Sequence, residues 1–139
     1  MATRISVSLI LPEKVCSGTA VAGSLIVGND GSSAITVVHP GYPAALNLVI
    51  FDCSWNQVTP DSVGKVHIAY SQVEIAPGEF RTFALDDLAF TTGTAQMRFA
   101  LGRGRYYVAA IYHPGSARLP SESAYSLVAI SAIRELIVE

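Results

Sequence analysis

The sequence predicts a single all-β domain, an antiparallel sandwich of about seven to nine short strands. Apolar and polar residues alternate over short runs, and Gly, Pro, Asn and Asp separate these runs. The spacing that marks amphipathic helices is almost absent. The chain of 139 residues is long enough for one sizeable core. We therefore expect one domain over residues 1–139.

The expected strands share β-branched or aromatic residues at alternate positions and turn residues at their ends. In chain order they cover residues 5–11, 19–27, 34–39, 46–53, 66–70, two short strands within 73–83, then 95–101, 106–112 and 125–138. Strands that follow one another with no long helix between them favour a sandwich over an alternating strand–helix fold.

The turn residues predict how neighbouring strands connect. The Asn-Asp-Gly sequence at 29–31 tolerates positive φ, so we expect residues 34–39 to return beside the preceding strand as a hairpin. The Pro-Gly pair at 77–78 suits the second and third positions of a tight turn. Ser131 interrupts the apolar final strand, where we expect a bulge. The only helical signal is one turn at 86–88.

Composition excludes several classes of function. The net charge is -2 and only 14% of the residues are charged, so no basic field exists to hold a nucleic acid. Apolar runs fall short of the roughly 20 residues of a membrane helix, and residues 1–10 do not form a signal-peptide core. We expect a cytoplasmic protein with no membrane partner. So few charges are also typical of a surface that a partner partly covers.

Residues for catalysis or metal binding do not come together in the sequence. No nucleophile motif or phosphate-binding loop is present, and His39, His67 and His113 lack the spacing of metal ligands. We expect no enzyme, no metal and no cofactor. His39 and His113 both precede Pro-Gly at strand ends, and a hairpin at 34–39 would place them at opposite ends of the sandwich. They would share one end if residues 34–39 extended the preceding strand.

The two cysteines are too few for a disulfide framework, and Cys-x-x-Cys spacing is absent. Cys16 precedes one expected strand and Cys53 ends another. We expect both to be unpaired and buried, and the alternative is a single bridge between them.

Three local patterns, within 27–37, 73–83 and 104–112, together resemble bacterial immunoglobulin-like domains. Their order and spacing over 19–112 are similar to the intracellular proteinase inhibitor domains of bacilli. The resemblance implies an immunoglobulin-like sandwich in which Tyr106 is the tyrosine-corner residue, with its hydroxyl bonded to nearby backbone. It also implies an exposed inhibitory loop.

One sheet face carries apolar residues where a sandwich normally presents polar ones to water. Two expected strands have apolar residues on both faces, and their outer members are Val49, Phe51, Tyr107, Ala109 and Ile111. Residues 127–133 are also apolar on both faces except at Ser131. Exposed apolar patches usually mark an interface. We therefore predict a non-catalytic module that binds a protein partner, or a second copy of itself, through this face. The alternative is that the loop at 116–123 folds over the face and covers it.

Two other functions use loop residues instead. A proteinase inhibitor would present the loop 54–65, with Trp55 and Asn56, to a catalytic cleft. Arg103 and Arg105 form a pair that could contact an acidic partner. A third hypothesis is a small-ligand or carbohydrate-binding module that uses Trp55 and Tyr42.

Overall fold

The structure, a computed structural model, describes residues 5–18, 21–40, 45–65, 72–85, 90–91, 95–99, 101–113 and 128–139. All regular structure in these ranges is β, which confirms the predicted fold class. The strands are β1 (Ile5–Ile10), β2 (Lys14–Val15), β3 (Gly23–Asn29), β4 (Ile35–Val38), β5 (Leu46–Asp52), β6 (Asp61–Lys65), β7 (Gln72–Ile75), β8 (Phe80–Leu85), β9 (Phe90–Thr91), β10 (Ala95–Arg98), β11 (Gly104–Tyr112), β12 (Ala129–Ile130) and β13 (Arg134–Val138).

Two larger sheets enclose the core. In the first sheet β3 lies between β1 and β8, and all pairs are antiparallel. In the second sheet β11 lies between β5 on one side and β12 and β13 on the other, and β2 adds to β13 in parallel. Smaller ladders join β4 to β7, and β10 to β6 and β9.

Strand alternation determines which side chains enter the core. Leu25 and Val27 of the first sheet belong to the same buried cluster as Ile50, Val108 and Leu136 of the second. Each is at most 1% exposed. Because side chains alternate between the two faces of a strand, their sequence neighbours form the outer faces.

The predicted hairpin between β3 and β4 is wrong, because β4 pairs with β7. Asn29, at the end of β3, is fully buried. Its side-chain amide donates hydrogen bonds of 2.9 Å to the carbonyls of Ser33 and Ile75, and its side-chain oxygen accepts one from the Gly31 amide. The Asn29 side chain thus connects the turn after β3 to β7. This non-local bond favours pairing with β7 over a local hairpin.

The change in pairing also moves the two histidines. The Tyr112 hydroxyl donates a hydrogen bond to the Val38 carbonyl, so the residues that follow, His113 and His39, lie at the same end of the molecule. The expectation of opposite ends is wrong for that reason. The His39 ring contacts the Phe83 ring edge-on, with centroids 5.0 Å apart.

Two sequence predictions about the second sheet are confirmed. The final strand is interrupted at Ser131, whose hydroxyl accepts a hydrogen bond from the Ala110 amide and donates one to the Ala132 carbonyl. Tyr106 is a tyrosine corner, because its hydroxyl donates to the Gly102 carbonyl at 2.9 Å.

Other boundaries differ from expectation. The second half of the expected loop 54–65 is strand β6, which pairs with β10. The short parallel strand β2 follows the Pro12 stop and was not expected. The expected strand at 66–70, with His67, and the helical turn at 86–88 lie outside the described residues, as does Tyr42.

The expectation of buried cysteines is wrong, because Cys16 and Cys53 are both exposed. No disulfide joins them. Cys53 lies in a surface turn after β5, and Cys16 directly follows β2, which pairs with the last strand, β13. Among the described residues, no helix is long and apolar enough to cross a membrane.

Candidate functional site

The five residues predicted for the sheet face lie together. In the β5–β11 ladder, Tyr107 is opposite Phe51 and Ala109 is opposite Val49, and Ile111 is two residues further along β11. Directly opposed residues share one face of a sheet. All five are half-buried, whereas the intervening residues on β11, Val108 and Ala110, are at most 1% exposed. We call Val49, Phe51, Tyr107, Ala109 and Ile111 the outer face.

Trp55 covers one end of the outer face. Its indole ring stacks on the Tyr107 ring, with centroids 4.5 Å apart and planes inclined by 11°. It also contacts Phe51 in a tilted arrangement at 6.1 Å. Trp55 nevertheless remains 58% exposed. Phe51, Trp55 and Tyr107 form the aromatic cluster, which joins two sites that the sequence had suggested separately.

A tight turn after β5 holds Trp55 in place. The Asp52 side chain accepts hydrogen bonds of 2.9 Å from the amides of both Ser54 and Asn56. The backbone of Asp52 also bonds to Trp55 and Asn56. Trp55 has φ of 64°, a left-handed conformation that is unfavourable for a large side chain and needs such support. The indole is therefore preorganised on the sheet.

Opposite charges flank the aromatic cluster. Arg105 precedes Tyr107 by two residues on the same face of β11, and Glu135 lies directly opposite Tyr107 on β13. Their charged groups are 3.5 Å apart, and both side chains are about half exposed, at 53% and 46%. Arg103 and Asn56 are exposed nearby in sequence, in the turns before β11 and after β5. Of the four alternative loop residues, Trp55 and Arg105 thus belong to the outer-face region.

The other end of the outer face is aliphatic. Ile130 of β12 lies directly opposite Ile111 and is 66% exposed. Ile133, in the interruption before β13, is 58% exposed. Ile130 and Ile133 were not among the predicted site residues, although both lie in the apolar final strand. The apolar surface thus extends across β5, β11 and β12.

The described residues offer this face little chemistry beyond contact. No group of three or more His, Cys, Asp and Glu side chains that could hold a metal occurs in the described part of the chain. Burial raises the pKa of Tyr112 far above its usual value, but this side chain is in the core and bonded to Val38. The arrangement is suited to binding through aromatic and aliphatic contact, framed by one basic and one acidic side chain.

Comparisons with known proteins relate the chain to solved structures only. No protein-family model matches it, and no curated protein matches it. A CARDB domain from Pyrococcus furiosus, crystallised with di-metal ions, is 14% identical over 98% of this chain and 93% of its own, with a TM-score of 0.45. A β-glucosidase from Listeria innocua, in complex with gluconolactone, is 13% identical over 98% of this chain and 16% of its own, with a TM-score of 0.46.

The sporulation control protein Spo0M of Bacillus subtilis is similar over the whole of this chain, with 16% identity and a TM-score of 0.50. This chain spans half of the Spo0M chain. Identity at that level shows a shared fold and nothing about activity.

Proposed function

We propose that this chain is a non-catalytic protein-binding module and that its outer face is the binding surface. The observation that carries this proposal is the stacking of the preorganised Trp55 on Tyr107 at one end of an apolar sheet face. An aromatic side chain that is held rigidly and left 58% exposed loses little conformational entropy on binding.

The composition of the face supports a protein partner. Trp, Tyr and Arg are the residue types most enriched among the energetically dominant residues of protein interfaces. Trp55, Tyr107 and Arg105 supply all three within one region. The surrounding aliphatic side chains, such as Val49 and Ile130, can exclude water around such a centre. An apolar surface of this kind is typical of an interface rather than of a free monomer surface.

The experiment compares three forms of the immobilised full chain. The outer-face variant carries Tyr107→Glu and Ile111→Glu, and the matched control carries Thr82→Glu and Ala84→Glu on exposed positions of β8 in the first sheet. Each is incubated with native cell extract and with labelled wild-type chain, and bound proteins are identified by mass spectrometry. Circular dichroism and thermal unfolding establish that each variant is folded.

We expect wild type and control to retain the same protein, and the outer-face variant to lose it at least tenfold. Equal retention by all three forms, or no retention by wild type, would contradict the proposal. Unfolding of the outer-face variant would also contradict it, because those side chains would then belong to the core.

A proteinase inhibitor remains the second candidate, because the turn at 53–56 is exposed and held by the Asp52 hydrogen bonds. Inhibitory loops need this rigidity. However, the Trp55 ring lies flat on Tyr107. The turn is also shorter than the loop expected from the sequence, since β6 begins at Asp61. Stoichiometric inhibition of a protease that Trp55→Ala abolishes, with Thr82→Glu as the unaffected control, would favour this candidate.

A further inference from the structure

We propose that the partner of the outer face is a second copy of this chain, docked face to face about a twofold axis that passes through the aromatic cluster. The inference rests on the proposed function and names its partner. It is carried by the placement of Arg105 and Glu135 relative to Tyr107, which makes the face complementary to itself in charge.

The two charges occupy neighbouring positions on adjacent strands. Arg105 lies opposite Ile137, and Glu135 lies opposite Tyr107. A twofold axis that lies in the plane of the interface places each residue of one copy over the position in the other copy that lies at the same distance on the opposite side of the axis. When the axis is the perpendicular bisector of the line from Arg105 to Glu135, Arg105 of each copy lies over Glu135 of the other. Two reciprocal ion pairs then form, as an isologous interface requires.

The same axis places the aromatic cluster at the centre of the dimer. Tyr107 is about 6.6 Å from Arg105 along the strand and about 5 Å from Glu135 across the ladder, so it lies close to the line that bisects them. Trp55 stacks on Tyr107 and is therefore also near the axis. The most exposed aromatic ring of the face thus meets the same region of the other copy, surrounded by the ion pairs. Interfaces commonly have this arrangement of a buried aromatic centre and a charged rim.

Replacing the Arg105–Glu135 ion pair within one chain by ion pairs between two copies costs the folded monomer little stability. The Arg105–Glu135 contact is 3.5 Å long, and both side chains are about half exposed. Pairs of this kind contribute little to the stability of a monomer. The chain's net charge of -2 adds only weak repulsion between copies.

Charge reversal distinguishes pairing between copies from pairing within one copy. Arg105→Glu and Glu135→Arg each place like charges across the proposed axis. When the two variants are mixed, each Glu faces an Arg of the other chain, although both intrachain pairs remain repulsive. The matched control is Arg81→Glu, which makes the same charge change on exposed β8. Light scattering on a sizing column and native mass spectrometry report the species.

We expect wild type and Arg81→Glu to be dimers, and each interface variant to dimerise at least tenfold more weakly. The equimolar mixture is expected to recover a dimer that contains one chain of each variant. Dimerisation of either single variant at wild-type strength, or a mixture that stays monomeric, would overturn the twofold arrangement. A monomeric wild type whose outer face still retains another protein would overturn the self-association and leave the proposed function standing. A wild type that binds neither itself nor another protein would overturn both.

Discussion

The outer faces of the two large sheets differ in what they present to water. The outer surface of the first sheet is mixed, because the hydroxyl side chains of Ser6, Ser8, Ser24 and Thr82 alternate there with the apolar side chains of Ile10, Ile26 and Phe80. The corresponding surface of the second sheet carries Val49, Phe51, Tyr107, Ala109 and Ile111, with Trp55 stacked upon them. Both sheets contribute to the same core, so core packing does not explain the difference.

This contrast shows how an interface can be recognised in a sandwich whose function is not evident from motifs. The first sheet is closer to the usual pattern for a sheet with one solvated face, because hydroxyl groups separate its apolar side chains. The second sheet differs from this pattern, because β5 and β11 present neighbouring apolar side chains on their outer surface. The turn that the Asp52 hydrogen bonds hold places the exposed Trp55 ring on this apolar surface. We therefore propose the second sheet, rather than the first, as the binding surface.

The largest expected effect separates the inner and outer faces of β5. Ile50 is 1% exposed in the core, whereas its neighbour Val49 lies on the outer face. Ile50→Ala should lower the free energy of unfolding by about 2–5 kcal/mol through lost burial and cavity formation. Val49→Ala should lower it by less than about 1 kcal/mol, since less surface leaves contact. Chemical denaturation measures both, and equal losses would show that Val49 is core.

The three tyrosines of β11 extend the comparison to single hydroxyl groups. Tyr112→Phe leaves the buried Val38 carbonyl without its partner and should cost about 1–3 kcal/mol. Tyr106→Phe removes the corner hydrogen bond near the surface and should cost about 1 kcal/mol. Tyr107→Phe keeps the stacked ring and should change stability by less than about 0.5 kcal/mol. A larger loss at Tyr107 than at Tyr112 would reverse the inner and outer faces.

The buried hydroxyl also predicts a dependence of stability on pH. Burial raises the pKa of Tyr112 in the folded state, so above about pH 10 the unfolded chain loses this proton while the folded chain keeps it. Stability should therefore be maintained below pH 10 and fall as pH rises further, by up to about 1.4 kcal/mol per pH unit from this group. Tyr112→Phe should remove that part of the slope, whereas Tyr107→Phe should not. Identical slopes for the two variants, measured by urea denaturation, would exclude this cause.

A modest effect is expected at the turn that presents Trp55. Asp52→Ala removes the acceptor for two exposed backbone amides and should cost about 1 kcal/mol. It should also weaken the near-ultraviolet circular dichroism of the Trp55–Tyr107 stack. The control is Asp30→Ala in the turn after β3. An unchanged spectrum in Asp52→Ala would mean that the turn does not position the indole.

Local alternation was sufficient to predict the fold class and the outer-face residues, because the period of two assigns each side chain to a face wherever the strand is regular. The same reasoning placed the interruption at Ser131. Pairing between β4 and β7 was not predictable in this way. It depends on the buried Asn29 side chain, which reaches Ile75, 46 residues along the chain.

The position of Trp55 was missed for a related reason. Alternation does not apply to a turn, and the sequence places Trp55 among polar residues after β5. An Asp followed by Ser and Asn is a signal for a side-chain-supported turn, and it could have indicated that the chain reverses immediately at Asp52. Contact between Trp55 and Tyr107 then follows only from the pairing of β5 with β11.

Quenching of Trp55 fluorescence by acrylamide reports whether the outer face becomes buried on self-association, when it is followed over a concentration series with the molecular mass determined at each concentration. Trp55 is the only tryptophan of the chain, so the signal reports on the outer face alone. We expect Trp55 to become protected from the quencher in step with the increase in mass. An increase in mass without protection of Trp55, or a constant mass with a constantly accessible Trp55, would contradict this expectation.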